Sequence, residues 1–445
     1  MAQQMNIVPK RILVSLLESL SAGVVPRIGA PYVAIGRERE ISAFLDALQN
    51  VSENGSFMKM IIGRYGSGKS FLMQLIRGYA IEKNFICCDA DLSPERRLFT
   101  SQGNGCATYK ELIKNMSSKA SPDGAALQGI ISRWISNTQS QVAQKGLKIG
   151  SEEFDLEVEK RIFEITREAE NEVGGFDFAC VVNSYYRAVK NNDDRLKSCS
   201  LRWLRGEYTT RSESKRDLGV STIISGENWY DYIKLWAFFV KKIGYNGLVL
   251  FIDECVNLYK ITNRISREAN YEKILSMFND TVQGGAKGLG IVLGGTPMFL
   301  EDKRRGLYSY DALKSRLEDN NKYVDPSYKN YMGPVIRLER LDDNQLYALV
   351  IRLKFLHGQN YNWDVPVSDE QAEKFLQECM SRAGSNKMIT PREIIRDFLY
   401  ALNILYQNPG ATFDQVARIT VADKGTEKTE YDNSADIADI ADIEI

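Results

Sequence analysis

The chain has 445 residues, with 57 lysines and arginines against 58 aspartates and glutamates and 44% hydrophobic side chains. That length points to two or three domains, each with a sizeable core, and the balanced charge excludes a whole-protein field drawing it to nucleic acid or to a membrane surface. A single histidine, His357, removes multi-histidine metal sites and nearly removes Ser/His or Cys/His triads.

In chain order, residues 6–22 carry an apolar stripe (Ile12, Leu13, Leu16, Leu17, Leu20) that stops at Gly23, the pattern of an amphipathic helix. Gly36-Arg37-Glu38 then opens a helix with Ile41, Phe44, Leu45 and Leu48. Next comes Met58 to Leu75, an apolar run, a glycine turn and an amphipathic continuation: a strand, a loop and a helix. The turn Gly63-Arg64-Tyr65-Gly66-Ser67-Gly68-Lys69-Ser70, followed by Phe71, fits G-x-x-x-x-G-K-[ST]. In that pattern backbone N–H groups cradle phosphates, Lys69 reaches the β/γ oxygens and Ser70 holds Mg²⁺. Glycines let the backbone approach the anion, and the helix that follows points its N–H groups at the same place.

Phe85 to Leu92 reads as a second buried strand ending near two aspartates, and 121–225 is mostly charged helix broken at Gly150-Ser151 and Gly174-Gly175. Within it, residues 201–216 mix cations with aromatics, either a nucleic-acid face or, given Glu207, Glu213 and Asp217, a solvated or partner-facing one. A helix over Trp229–Lys242 feeds Leu248-Val249-Leu250-Phe251-Ile252-Asp253-Glu254, a buried strand of Walker B type. There Asp253 can hold Mg²⁺ through water and Glu254 can act as general base. The strand over 289–295 ends at Thr296-Pro297, where Thr296 either senses the γ-phosphate, caps the next helix, or does both. Arg304, Arg305 and Arg316 follow as candidates for an arginine finger, Arg316 foremost, against local ion-pairing. Residues 341–406 are helical, with Arg392 just inside a capped start at Thr390-Pro391. From 407 on, periodicity fades toward an acidic tail that reads as disordered. Seven cysteines without CxxC spacing, no secretory signal and no apolar run near the roughly 18 residues of a membrane span point to a soluble, reduced, cytoplasmic protein.

The motifs GRERE, GRYGSGKS, FIDE, GGTP, RGLYSYDALKSRL and TPRE, with SAGVVP and LRWLRGE, resemble the bacterial anti-phage P-loop family of BREX-system ATP-binding proteins. That family includes the ATPase of Shango-type systems, encoded beside a TerB-like protein and a helicase. The resemblance spans about residues 7–405 and extends to initiator-type AAA+ ATPases, in which the GRE segment lies by the adenine; Gly36 and Arg37 are then adenine-side residues, or simply the charged first turn of their helix. It implies an α/β, three-layer AAA+-like core with a parallel sheet over 31–120 and 226–340. An N-terminal helix (1–30), a helical insertion (121–225), a helical lid (341–406) with Arg392 turned to the nucleotide, and the tail (407–445) complete the expected domains. The implied activity is Mg²⁺-dependent ATP hydrolysis in a multi-protein defence complex with a helicase or nuclease, acting on DNA, in an ATP-dependent homo-oligomer and away from membranes. No winged-helix pattern follows the lid, so a nucleotide-gated scaffold and a DNA-binding adaptor stand as alternatives to a working ATPase.

Overall fold

A computed structural model describes residues 7–99, 106–167, 174–318, 329–382 and 390–422. The helices are α1 (Lys10–Ser21), α2 (Glu38–Ser52), α3 (Lys69–Glu82), α4 (Cys106–Lys114), α5 (Leu127–Ala143), α6 (Glu152–Arg167), α7 (Gly175–Asn191), α8 (Asp194–Leu204), α9 (Arg211–Leu218), α10 (Trp229–Lys242), α11 (Val256–Tyr259), α12 (Arg264–Val282), α13 (Pro297–Glu301), α14 (Asp311–Leu317), α15 (Asp343–Tyr361), α16 (Asp369–Arg382), α17 (Pro391–Gln407) and α18 (Phe413–Ala422). The strands are β1 (Phe57–Ile62), β2 (Ile86–Asp91), β3 (Leu248–Asp253), β4 (Leu289–Gly295) and β5 (Val335–Arg337). The chain divides into two compact units, Met1–Gly36 with Leu341–Ile445, and Arg37–Arg340.

The larger unit is α/β. Its strands are all parallel, in the order β2-β3-β4-β1-β5. β1 and β4 are buried at every position and β3 at all but its last, rather than alternating, as strands covered on both faces are. Register puts Met58 beside Ile291 and Leu250 beside Ile291 and Cys88, so alternate side chains of four strands share a face. That face joins one continuous core with α4, α5, α7, α10 and α12. The opposite face receives α2 and α3.

The stretch 121–225 is helical and lies between β2 and β3 in the chain, but its buried side chains run into the sheet's own core through α10. Trp134 packs edge-on against Phe239 at 4.9 Å, Phe178 against Trp236 at 5.0 Å, and Trp203 against Tyr232 at 5.5 Å, each pair adding about 1 kcal/mol beyond the area it buries. The indole N–H of Trp236 donates to Tyr109 Oη, which in turn donates to the Leu204 carbonyl, so both of these buried donors are satisfied. The insertion is therefore a second wall of the sheet's core.

The smaller unit is helical. Helix α1 buries Leu13, Leu16, Leu17 and Leu20 against α15 and α17, and its carboxyl end is closed at Gly23 (φ 68°), with Val24 N–H returning to the Ser19 carbonyl. The expected capped start at Thr390 is present as a reciprocal capping box with Glu393. Helix α1 falls in one unit with α15–α17, and the helices of that unit continue past 406 into α18, which packs on α16 and α17. Phe413, Val416 and Ala417 form its buried face, too short a stripe to stand out after Asn408-Pro409-Gly410. The remainder of the acidic tail lies outside the described residues.

Candidate functional site

The site forms where strands β1, β3 and β4 end and α3 begins. After Ile62 the backbone turns through Gly66 (φ 76°) and Gly68 (φ 88°), conformations that favour glycine, and Gly68 is the N-cap of α3. A Cβ at Gly63 would fall on Ser67 Oγ and lie 2.9 Å from the Leu338 carbonyl oxygen, so the turn tolerates no side chain there. Lys69 folds back over the turn, its Nζ donating to the Gly63 carbonyl (2.9 Å) and the Arg64 carbonyl (3.2 Å). Burial pulls its pKa down while Asp253 and Glu254 push it up. Ser67 is buried beneath the turn, whereas Arg64 and Tyr65 stand exposed at its tip, Tyr65 at 77%. Phe71 lies half-buried in the first turn of α3.

Across from the turn, Ser70 Oγ donates to Asp253 Oδ2 at 2.7 Å. The other carboxylate oxygen, Oδ1, accepts the Glu254 N–H at 2.8 Å. Asp253 is thus fixed at both oxygens. Glu254 is held at φ 56°, a left-handed conformation that costs a non-glycine residue about 1 kcal/mol and marks functional positions when it persists. Partial burial, then Asp253 and Asp91, raises the Glu254 carboxyl's pKa. Asp91, in register with Asp253 on β2, is raised by burial and by Asp253 in turn. Three carboxyls and one lysine thus lie within electrostatic reach of one another at the strand ends, an acid excess that favours a cation there.

Thr296 follows β4, and its hydroxyl accepts from the Phe299 N–H, capping α13; the Gly63 N–H meets the Gly295 carbonyl next to it at 3.1 Å. Arg37 is brought to the turn, but beneath it: Nη2 donates to the Ser67 carbonyl (3.0 Å) and to the Glu339 carbonyl (2.8 Å). Gly36 (φ 69°) belongs to the smaller unit, as does Arg392, whose stem lies against Gly23. Arg316 does not join the cluster within the chain. It bonds Asn279 Oδ1 and the Ala312 carbonyl, and α12 near Asn279 runs beside the start of β1, where Ser56 Oγ donates to the Thr281 carbonyl. That is the opposite end of the sheet from the glycine turn. Arg305 is spent locally on the Tyr259 and Ile261 carbonyls, with its guanidinium over the Tyr259 ring. Arg304 is exposed.

Two of the five cations in the stretch 201–216, Arg202 and Arg216, are ion-paired inside the chain. Trp203 is buried and donates to the Thr222 carbonyl, Arg202 pairs with Glu213 at 3.0 Å and covers the Tyr208 ring, and Arg216 pairs with Asp217. A phosphate backbone would have to displace these partners. Among the described residues no helix is long and apolar enough to cross a membrane.

Two residues that sequence reasoning passed over belong to the site. Gly294 faces Asp253, where any Cβ would strike the carboxylate, and Asp91 contributes the third carboxyl. Only a glycine next to a strand end and the second aspartate of Asp89-Ala90-Asp91 hinted at them.

An α/β protein with a glycine turn and helix N-terminus at the carboxyl ends of parallel strands belongs to the class that binds anionic ligands there. This chain belongs to the family described as BREX system ATP-binding protein BrxC/D, which it matches over residues 8–421. No match was found among curated proteins.

Proposed function

We propose that the protein is an AAA+-like P-loop ATPase, ATP plus water giving ADP and phosphate, and that it acts in the cytoplasm as one component of a multi-protein BREX- or Shango-type anti-phage system. The observation that carries this reading is the Ser70–Asp253 hydrogen bond at 2.7 Å, which joins the end of the glycine turn to the end of the Walker B strand. The strand order supports it, because β4, bearing Thr296, lies between the strands that end in Gly63 and Asp253, the place a γ-phosphate sensor requires.

Backbone N–H groups of residues 66–70 would receive the phosphates, with Lys69 leaving the Gly63 carbonyl for the β/γ oxygens. Ser70 and Asp253 offer two hard oxygens side by side. This suits Mg²⁺, which keeps several waters and takes one or two protein oxygens; when bound it would neutralise charge building on the phosphates. Glu254, its proton affinity raised by its surroundings, would take a proton from the water that attacks the γ-phosphorus as the bond to the β–γ bridging oxygen breaks. Thr296 would hold that water. Arg316 or Arg304 would reach the γ-phosphate of a neighbouring copy in an ATP-dependent homo-oligomer, with Arg392 contributed from the lid. Turnover would then drive a helicase, TerB-like protein or nuclease partner on DNA.

The test is Glu254→Gln. Nucleotide affinity is expected to persist while turnover and protection against phage are lost. A variant that still protects would favour a nucleotide-gated scaffold, and one that still hydrolyses ATP would remove Glu254 from the mechanism.

A further inference from the structure

We infer that Arg37 is a positioning residue that locks the glycine turn to the backbone leaving β5 and reports the turn's occupancy to residues 338–340; this rests on the ATP-site reading above. Arg37 is only 6% exposed, yet its strongest bonds go to two carbonyl oxygens, those of Ser67 and Glu339, with Glu40 at 3.5 Å. A guanidinium stays charged at any physiological pH. Even with Glu40 beside it, burying that charge is expensive, and a buried ion pair is often replaceable by apolar residues at less cost.

The position of the bond suggests what the charge is for. The Ser67 carbonyl and the Gly68 N–H belong to one rigid peptide plane. An anion drawn to the N–H side must turn or polarise the carbonyl side, which is where Arg37 holds it. A second tie runs alongside: the Leu338 N–H donates to the Ile62 carbonyl at 2.7 Å, and Gly63 lies directly against the Leu338 carbonyl. Leu338 is thus tied to the residue just before the turn, and Glu339 is linked through Arg37 to the turn's fifth residue, Ser67. The chain enters the larger unit at Arg37 and leaves it after Arg340, so both crossings lie within one residue of this network.

Hydrogen–deuterium exchange on the full chain, with and without Mg²⁺ and a non-hydrolysable ATP analogue, tests the inference. In the wild type, nucleotide should slow exchange in peptides covering 63–70 and 336–342 together. Arg37→Met should weaken analogue binding about tenfold, the loss expected when a charged hydrogen bond goes. At saturating analogue it should regain protection at 63–70 but not at 336–342. Arg37→Lys, which keeps the charge and reaches one carbonyl, should fall between and guards against a misfolded methionine variant. Protection at 63–70 without any response at 336–342 in the wild type, or a response that survives Arg37→Met, would overturn the lock. No protection at 63–70, with Lys69→Ala behaving like the wild type, would instead overturn the ATP-site reading itself.

Discussion

Replacing Gly294 with alanine tests how Asp253 is held. The added Cβ would fall on Asp253 Oδ1 and stand 2.9 Å from both Asp253 Cγ and Met73 Sδ, roughly 0.6 Å inside ordinary carbon contact at about 3.5 Å. Gly294 has an ordinary φ, so the conflict is one of space alone. The carboxylate cannot move without giving up the Ser70 bond, the Glu254 N–H bond, or both, each worth about 1.5–3 kcal/mol to a charged acceptor. Alternatively β4 shifts, at the 1–3 kcal/mol typical of overpacking. Under the proposed mechanism Gly294→Ala should lower ATP turnover at least tenfold and raise the Mg²⁺ concentration needed for half-maximal activity. Gly290→Ala supplies the control, because a Cβ there, at the other end of β4, meets the Phe57 ring of the neighbouring β1, away from the site; it should lower thermal stability and leave the Mg²⁺ titration unchanged. Wild-type turnover and Mg²⁺ dependence in Gly294→Ala would refute the idea that this glycine makes room for a metal-binding carboxylate.

Other outcomes follow from single residues. Glu254→Gly should abolish turnover while raising folding stability by about 0.5–1 kcal/mol in urea denaturation, since glycine relieves the left-handed φ; an unchanged or lower stability would show that the backbone there stores nothing. His357 is buried, accepts the Trp363 indole N–H at Nδ1 (3.1 Å) and meets Asn403 Oδ1 through Nε2 (3.0 Å), and burial holds its pKa below the ordinary 6.5. The unfolded chain therefore takes up a proton before the folded one does. The contribution of His357 is complete above pH 6.5 and is lost as pH falls from there through the folded value, and His357→Gln should flatten the melting temperature over that range.

The glycine turn and the Asp253-Glu254 strand end were legible because each compresses its chemistry into contiguous residues: glycine spacing for the first, an apolar run closing on two acids for the second. The helices of 121–225 were legible as helices, but not as one wall of the sheet's core, because Trp236, Tyr109 and Leu204 meet across 127 positions or fewer only once the chain has folded. Arg37 shows the limit more sharply. Its sequence neighbours suggested an adenine contact or a charged helix start, whereas its acceptors are backbone carbonyls at 67 and 339, and a carbonyl acceptor leaves no mark on residue identity. Gly294 was hidden for the same reason, since what it must avoid is a side chain from another strand. Arg316 followed its family position, but its bond to Asn279 depends on where α12 ends.

The pairing of α1 with α15 and α17 has a consequence for how the protein is made. Its leucine face lies on Lys10–Ser21, and the helices that cover it begin at Asp343. At 5–20 residues per second, the intervening chain takes roughly 15–65 s to emerge. Throughout that interval the sheet can assemble only as far as its late strands permit, while a greasy amphipathic helix waits without its partners. The smaller unit can thus close only after α15 and α17 have been made, more than 300 residues behind the helix they cover.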